Sequence, residues 1–179
     1  MTFSNPAASA AASAKAYVQA LLDLLGDRRP LDVLPELLPW LEGRLRDIPD
    51  EVLRRPEAPG KWSVTAVIQH LADSELVFGF RARMILSEDR PALPGFDQDR
   101  WASLFRYGEV SCDSALAQLS VLRTANLAAL RPLGRAELAR VGMHSERGPE
   151  SLGRLMELMA AHDLVHRRQI ERVLGAVGA

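Results

Sequence analysis

No segment of this 179-residue chain sustains the period-two alternation of apolar and polar residues that a half-buried strand requires, and Val and Ile are few beside Leu and Ala. Helices are what remain, with apolar residues recurring at three- and four-residue intervals between Ser, Gly and Pro punctuation. A first helix is expected over Ala8 to Leu25, where Tyr17, Leu21, Leu24 and Leu25 fall at helical spacing and Gly26 supplies a stop. A second should run from about Leu31 to Ile48; Pro35 suits a first turn, but Pro39 must kink this helix or mark its true start. After the Pro56 to Gly60 linker, Ser63 is placed to cap a long third helix reaching about Ser87, ended by Pro91, Pro94 and Gly95. Asp97 to Phe105 reads as a short helix carrying Trp101, and Ser111 opens a fourth long helix that ends before Pro132. Gly134 to Pro149 reads mostly as loop; Ser151 caps a last helix running to Leu174 and stopping at Gly175. Long helices joined by short to moderate connections make an all-α four-helix bundle the economical architecture.

Composition narrows the partners. The apolar fraction of 47% and charged fraction of 25% are ordinary for a globular domain. The net charge of −1, without a Lys/Arg block, lacks the electrostatic footprint of phosphate binding, so no nucleic acid partner is expected. Cys112 is the only cysteine, which excludes an intramolecular disulfide and suits a reducing cytoplasm. Met1 to Ala14 has no basic start followed by an apolar run, and no stretch is long and apolar enough to span a bilayer; the expectation is a cytoplasmic protein without a membrane partner.

Chemistry enters where histidines stand in core positions. In the last helix Leu155, Met159, His162, His166, Gln169 and Val173 are spaced four, three, four, three, four, the seam of a bundle-facing helix. Two imidazoles four residues apart project from one face, with Cβ atoms about 5–6 Å apart, and can reach one ion. The third helix has the seam Val67, His70, Ser74, Val77, Arg81, Met84, which turns a third imidazole inward. Three neutral imidazoles on a divalent transition ion leave a coordination position open, the arrangement of catalytic rather than structural zinc; nickel, iron or manganese would also accept them. Asp163 directly follows His162, so the glutamate of a HEXXH peptidase is missing.

Other residues near these seams invite roles. Asp73, nearly on the face of His70, could orient an imidazole or act as a general base, against the simpler reading of a solvated carboxylate. Gln169, on the turn after His166, could hydrogen-bond a substrate or a supporting group. Arg123 lies on the apolar stripe of the fourth helix among Leu116, Leu119, Leu127 and Leu130, so it must be paired in the core or bind a substrate anion. Arg81, about 16 Å along the axis from His70 at helical rise, is read as structural. Trp62 and Trp101 read as packing residues near the bundle ends, with Trp101 a candidate for lining a site mouth. Cys112 has no general base near it in sequence, and His144, among Ser145, Glu146 and Arg147, reads as exposed.

The runs GKWSVTAVIQHLADSE (Gly60 to Glu75) and AAHDLVHRRQI (Ala160 to Ile170) resemble the DinB/YfiT-like superfamily, in which a Trp-Ser helix start leads to a first metal histidine and a late HxxxH supplies two more. The resemblance begins near Leu31. It implies a four-helix bundle over residues 31–179, with residues 1–30 an extra N-terminal helical extension packed on it, short connecting helices, and a homodimer. It assigns the metal to His70, His162 and His166, with zinc first and nickel next. It further implies activation of a low-molecular-weight thiol such as bacillithiol (an S-transferase) or of water (a hydrolase) against a small electrophilic substrate. The alternative is a non-catalytic metal-binding stress-response or small-molecule-binding bundle.

Overall fold

The computed structural model describes residues 11–179, with side chains from residue 16 onward. Nine helices lie among the described residues: α1 (Ala11–Leu25), α2 (Pro30–Val33), α3 (Leu37–Leu45), α4 (Asp50–Leu53), α5 (Val64–Ser87), α6 (Gln98–Leu104), α7 (Cys112–Leu130), α8 (Arg135–Leu138) and α9 (Leu152–Val177). The expected helix start at Ala8 lies outside the described residues.

Serine hydroxyls set three of the long helices. Ser63, Ser111 and Ser151 each accept a bond from the backbone N–H three residues on, at 3.2, 3.2 and 3.1 Å, satisfying a first-turn donor that has no helical partner. Gly26, at φ 59°, follows the end of α1. The last helix passes through Gly175 to Val177 and stops at Gly178, where φ turns to 79°; a glycine inside a helix weakens it but does not end it, whereas the left-handed turn does. The expected helix from Leu31 to Ile48 is broken into α2, a 3-10 turn at Leu34–Glu36 and α3. Pro39 falls in the first turn of α3, where a missing N–H costs nothing, and so marks that helix's start.

The four longest helices are α1, α5, α7 and α9, and α5 is central, buried at every residue from Val64 to Glu75. Its neighbours are α7 and α9, while α1 lies along α9. Two apolar clusters fill the interior. One contains Leu21, Leu25, Phe78, Leu127, Leu155 and Met159, and the other Leu41, Val67, Leu71, Leu119, Ile170 and Val173. Between them, each of the three central helices carries buried polar residues: Asp73, Ser74 and Glu75 on α5, Arg123 and Asn126 on α7, Asp163 and His166 on α9. A polar layer therefore crosses the core at one level.

The region expected as loop holds α8 and a small sheet. β1 (Ala92–Leu93) pairs in parallel with β2 (Val141–His144), which forms an antiparallel hairpin with β3 (Gly148–Ser151). Strands of two and four residues are too short for alternation to register in the sequence. Gly142 lets the sheet settle closely, since a Cβ there would fall 2.6 Å from Leu93 Cδ1 and 3.1 Å from Ile85. His144, expected in an exposed loop, is the last residue of β2 and is buried. No helix of the described residues is long and apolar enough to cross a membrane.

Candidate metal centre

Two helices distant in sequence bring the histidines together. His70 comes two turns into α5, and His162 and His166 lie in the middle of α9. Their Nε2 atoms converge: His70 to His162 at 3.1 Å and His166 to His162 at 3.0 Å. The rings stand edge to face or tilted, with centroids 4.2 to 5.1 Å apart, so their nitrogen edges rather than their planes meet.

This donor set fits a single cation. Tetrahedral ligands at a zinc–nitrogen distance near 2.05 Å lie about 3.3 Å apart, close to the spacing seen. Burial pushes all three imidazoles below the ordinary histidine pKa, His166 to about 4 and the other two well down, with neighbouring histidines adding to the effect at His70 and His162. Neutral imidazoles keep the lone pairs that ligation needs. Gln169 Oε1 lies 2.7 Å from His166 Nδ1, which therefore donates and turns the lone pair of Nε2 toward the other two rings. Among the described residues, Nδ1 of His70 and of His162 is buried without a hydrogen-bond partner. Among the described residues, no carboxylate or thiol joins the three imidazoles as a further ligand.

Asp73 occupies neither of the places considered for it. It is buried, not solvated, and instead of facing an imidazole its Oδ1 accepts from the amides of Gln69 and Gln118, each at 3.3 Å, and its Oδ2 from the hydroxyl of Tyr107. With both oxygens engaged, the carboxylate ties α5 to α7 and to the 3-10 turn at Tyr107–Glu109. Burial, followed by the bond to Asp73, pushes the Tyr107 hydroxyl up from its ordinary pKa, so it remains a donor. Tyr107 packs edge-on against Trp62, which in turn lies 5.0 Å, centroid to centroid, from His70. Trp62 is thus a packing residue, as its sequence position suggests, and the ring it packs against is a candidate ligand.

Arg123 is 1% exposed and is not placed to meet a substrate. Its Nε donates to Glu75 at 2.9 Å, Nη1 to Asp163 at 2.7 Å and to the Leu34 carbonyl at 2.6 Å, and Nη2 to Asp163 at 3.0 Å. Asn126 donates to the carboxylate and the carbonyl of Glu75, at 2.9 and 3.0 Å. Burial pushes Asp163 up to about 6 even against the pull of Arg123. Sequence reasoning required a partner for Arg123 without identifying it; the signal was Asp163, the residue beside His162. Trp101 packs at a tilt against Phe96, 4.7 Å between ring centroids, and edge-on against Phe105 at 5.8 Å. Arg81 donates to the Pro94 carbonyl, in keeping with a structural role, and burial lowers its pKa to about 10. Cys112 is buried, and burial raises its thiol to about 11, far from a reactive thiolate.

Comparison with known proteins gives this geometry a context. The profile of the DinB superfamily matches residues 40–170. A protein of Oceanobacillus iheyensis, named as a candidate metal-dependent hydrolase, is 29% identical over 140 residues, spanning 78% of this chain and 79% of its own. YfiT of Bacillus subtilis, named in the same way, is 27% identical over 150 residues, spanning 81% and 84%. The solved structure of YfiT, described as having an unusual four-helix bundle topology, superimposes with a TM-score of 0.76 over 83% of this chain and 86% of that one. With a family match across most of its length and a shared bundle, this chain belongs to the DinB superfamily.

Proposed function

We propose that the chain is a metal-dependent enzyme that activates a small nucleophile at a divalent transition ion held by His70, His162 and His166, with zinc the first candidate and nickel the second. The convergence of three Nε2 atoms from two helices carries this reading, because three protein donors leave a tetrahedral ion one position for an exogenous group. An ion held by these three residues would supply Lewis acidity, making water or a thiol acidic enough to ionise at neutral pH. The rest belongs to the chain's own residues. Gln169 fixes the tautomer and tilt of His166, Trp62 covers His70, and the Arg123 network holds α9 against α7 one residue from His162.

Water is the nucleophile that the relatives' naming supports, and the substrate is then a small hydrolysable electrophile such as an ester or amide. Thiol transfer uses the same open position and forms the second arm of the test. The purified protein, quantified by elemental analysis, is assayed against ester and amide panels, and with bacillithiol or a simpler thiol against monochlorobimane. Wild type is expected to carry about one ion per chain and to turn over one panel; His162→Ala should lose both ion and turnover while melting within a few degrees of wild type. No turnover in any panel by the loaded protein would sink the enzyme reading. Collapse of the bundle on losing His162 would favour an ion that only ties α5 to α9.

A further inference from the structure

Ser74 lies one helical turn beyond His70 on the inward seam of α5 and is 9% exposed. Its hydroxyl oxygen is 3.5 Å from His70 Nε2, the nitrogen that faces the other two imidazoles, and it makes no other side-chain hydrogen bond among the described residues. The contact is to the ligating edge of the ring, not to Nδ1 on its far side, so the hydroxyl lies on the side of His70 where a cation and its exogenous partner would sit. Resting on the metal reading above, we infer that Ser74 is a positioning residue for the exogenous nucleophile: its O–H donates a hydrogen bond to the anion that fills the open position.

Lone pairs set the constraint. A neutral imidazole has one, and when His70 Nε2 gives it to a cation it can no longer accept a bond from Ser74. A buried hydroxyl deprived of its acceptor must find another, since leaving it unpaired is costly. A serine in a helix can turn to the carbonyl one turn back, and an anionic oxygen or sulfur beside the three nitrogens would offer it a second choice. The anion is the stronger acceptor, because bonds to charged groups are about twice as strong as neutral ones. A neutral hydroxyl is a poor ligand for the cation itself, so Ser74 acts on the nucleophile and leaves ion affinity alone.

The test uses the full chain loaded with Co²⁺, whose visible spectrum reports what occupies the open position. Wild type, Ser74→Ala and Ser74→Thr are titrated with 2-mercaptoethanol and, separately, azide, and Co²⁺ affinity is measured by chelator competition. Ser74→Ala should bind both probes about tenfold or more weakly with Co²⁺ affinity within twofold of wild type, and Ser74→Thr, which keeps the hydroxyl, should recover most of the loss. Equal probe affinity in wild type and Ser74→Ala would overturn the inference and return the hydroxyl to the helix backbone. A tenfold fall in Co²⁺ affinity would overturn it differently, making Ser74 a ligand. If wild type takes up no Co²⁺, or takes it up and binds neither probe, the metal reading falls and this one falls with it.

Discussion

The Gln169 amide oxygen and Nδ1 of His166 are 2.7 Å apart, which makes His166 the imidazole of the triad whose far nitrogen is held by a partner among the described residues. Partners of this kind usually fix ring orientation, and removing one typically costs a metal site 10–100-fold in affinity. Gln169→Leu should therefore weaken ion binding by at least about tenfold, while Gln169→Glu, which keeps an acceptor, should hold close to wild type. Chelator competition measures this, and an unchanged affinity in the leucine variant would show that packing alone orients His166.

Arg123→Met should be among the most destabilising single changes in the chain. It leaves Glu75 and Asp163, each 1% exposed, as buried carboxylates without the guanidinium that pairs them, a situation that costs about 3–5 kcal/mol. Urea unfolding at neutral pH gives the value directly. Adding Glu75→Gln and Asp163→Asn to the arginine variant should recover part of the loss, because the stranded charges are then gone. A loss under about 1 kcal/mol for Arg123→Met would mean that water reaches these groups.

His144 should make the fold acid-sensitive. Burial, then the positive charges of Arg147 and Arg81, hold its pKa down to about 4, with Glu150 pulling the other way, and its Nδ1 accepts from the Glu146 N–H at 3.2 Å. The unfolded chain binds this proton at the ordinary value near 6.5 and the folded chain resists it. The contribution is therefore complete above pH 6.5 and is lost as pH falls toward 4. Between pH 7 and 4.5 wild type should lose about 1–2 kcal/mol more stability than His144→Asn. Parallel stability curves for the two proteins would rule the effect out.

Long-range periodicity made most of this molecule legible. The three histidines could be placed because they interrupt stripes of apolar residues at heptad spacing, a pattern that survives whatever the helices pack against. Serine caps fixed three helix starts to within a residue, since capping is a local bond between a hydroxyl and an N–H three residues away. What sequence could not supply was contact across helices. Asp73 was free to serve an imidazole until Tyr107, Gln69 and Gln118 proved to surround it, and Arg123 was free to meet a substrate until Glu75 and Asp163 closed on it. His144 was misjudged for a related reason: two- and four-residue strands carry too few positions for any pattern, so its burial depended on a pairing with Gly148 that only the assembled sheet reveals.

The polar layer that crosses the core also sets the alignment of α9. Leucine-rich faces look much the same after a slide of one turn, so apolar packing alone gives α9 several comparable seats along α5 and α7. His162 and Asp163 remove that freedom. They are adjacent in sequence and turned about a quarter of the way around the helix from each other, so one meets His70 while the other meets Arg123. Advance the helix by one turn and Arg167 takes the place of Asp163 opposite Arg123; retreat by one and a thioether, Met159, stands there instead. The ion pair thus works as a keyway: it indexes the shaft to a single notch, and the dimensions of the imidazole socket are machined by a charge match between two other side chains.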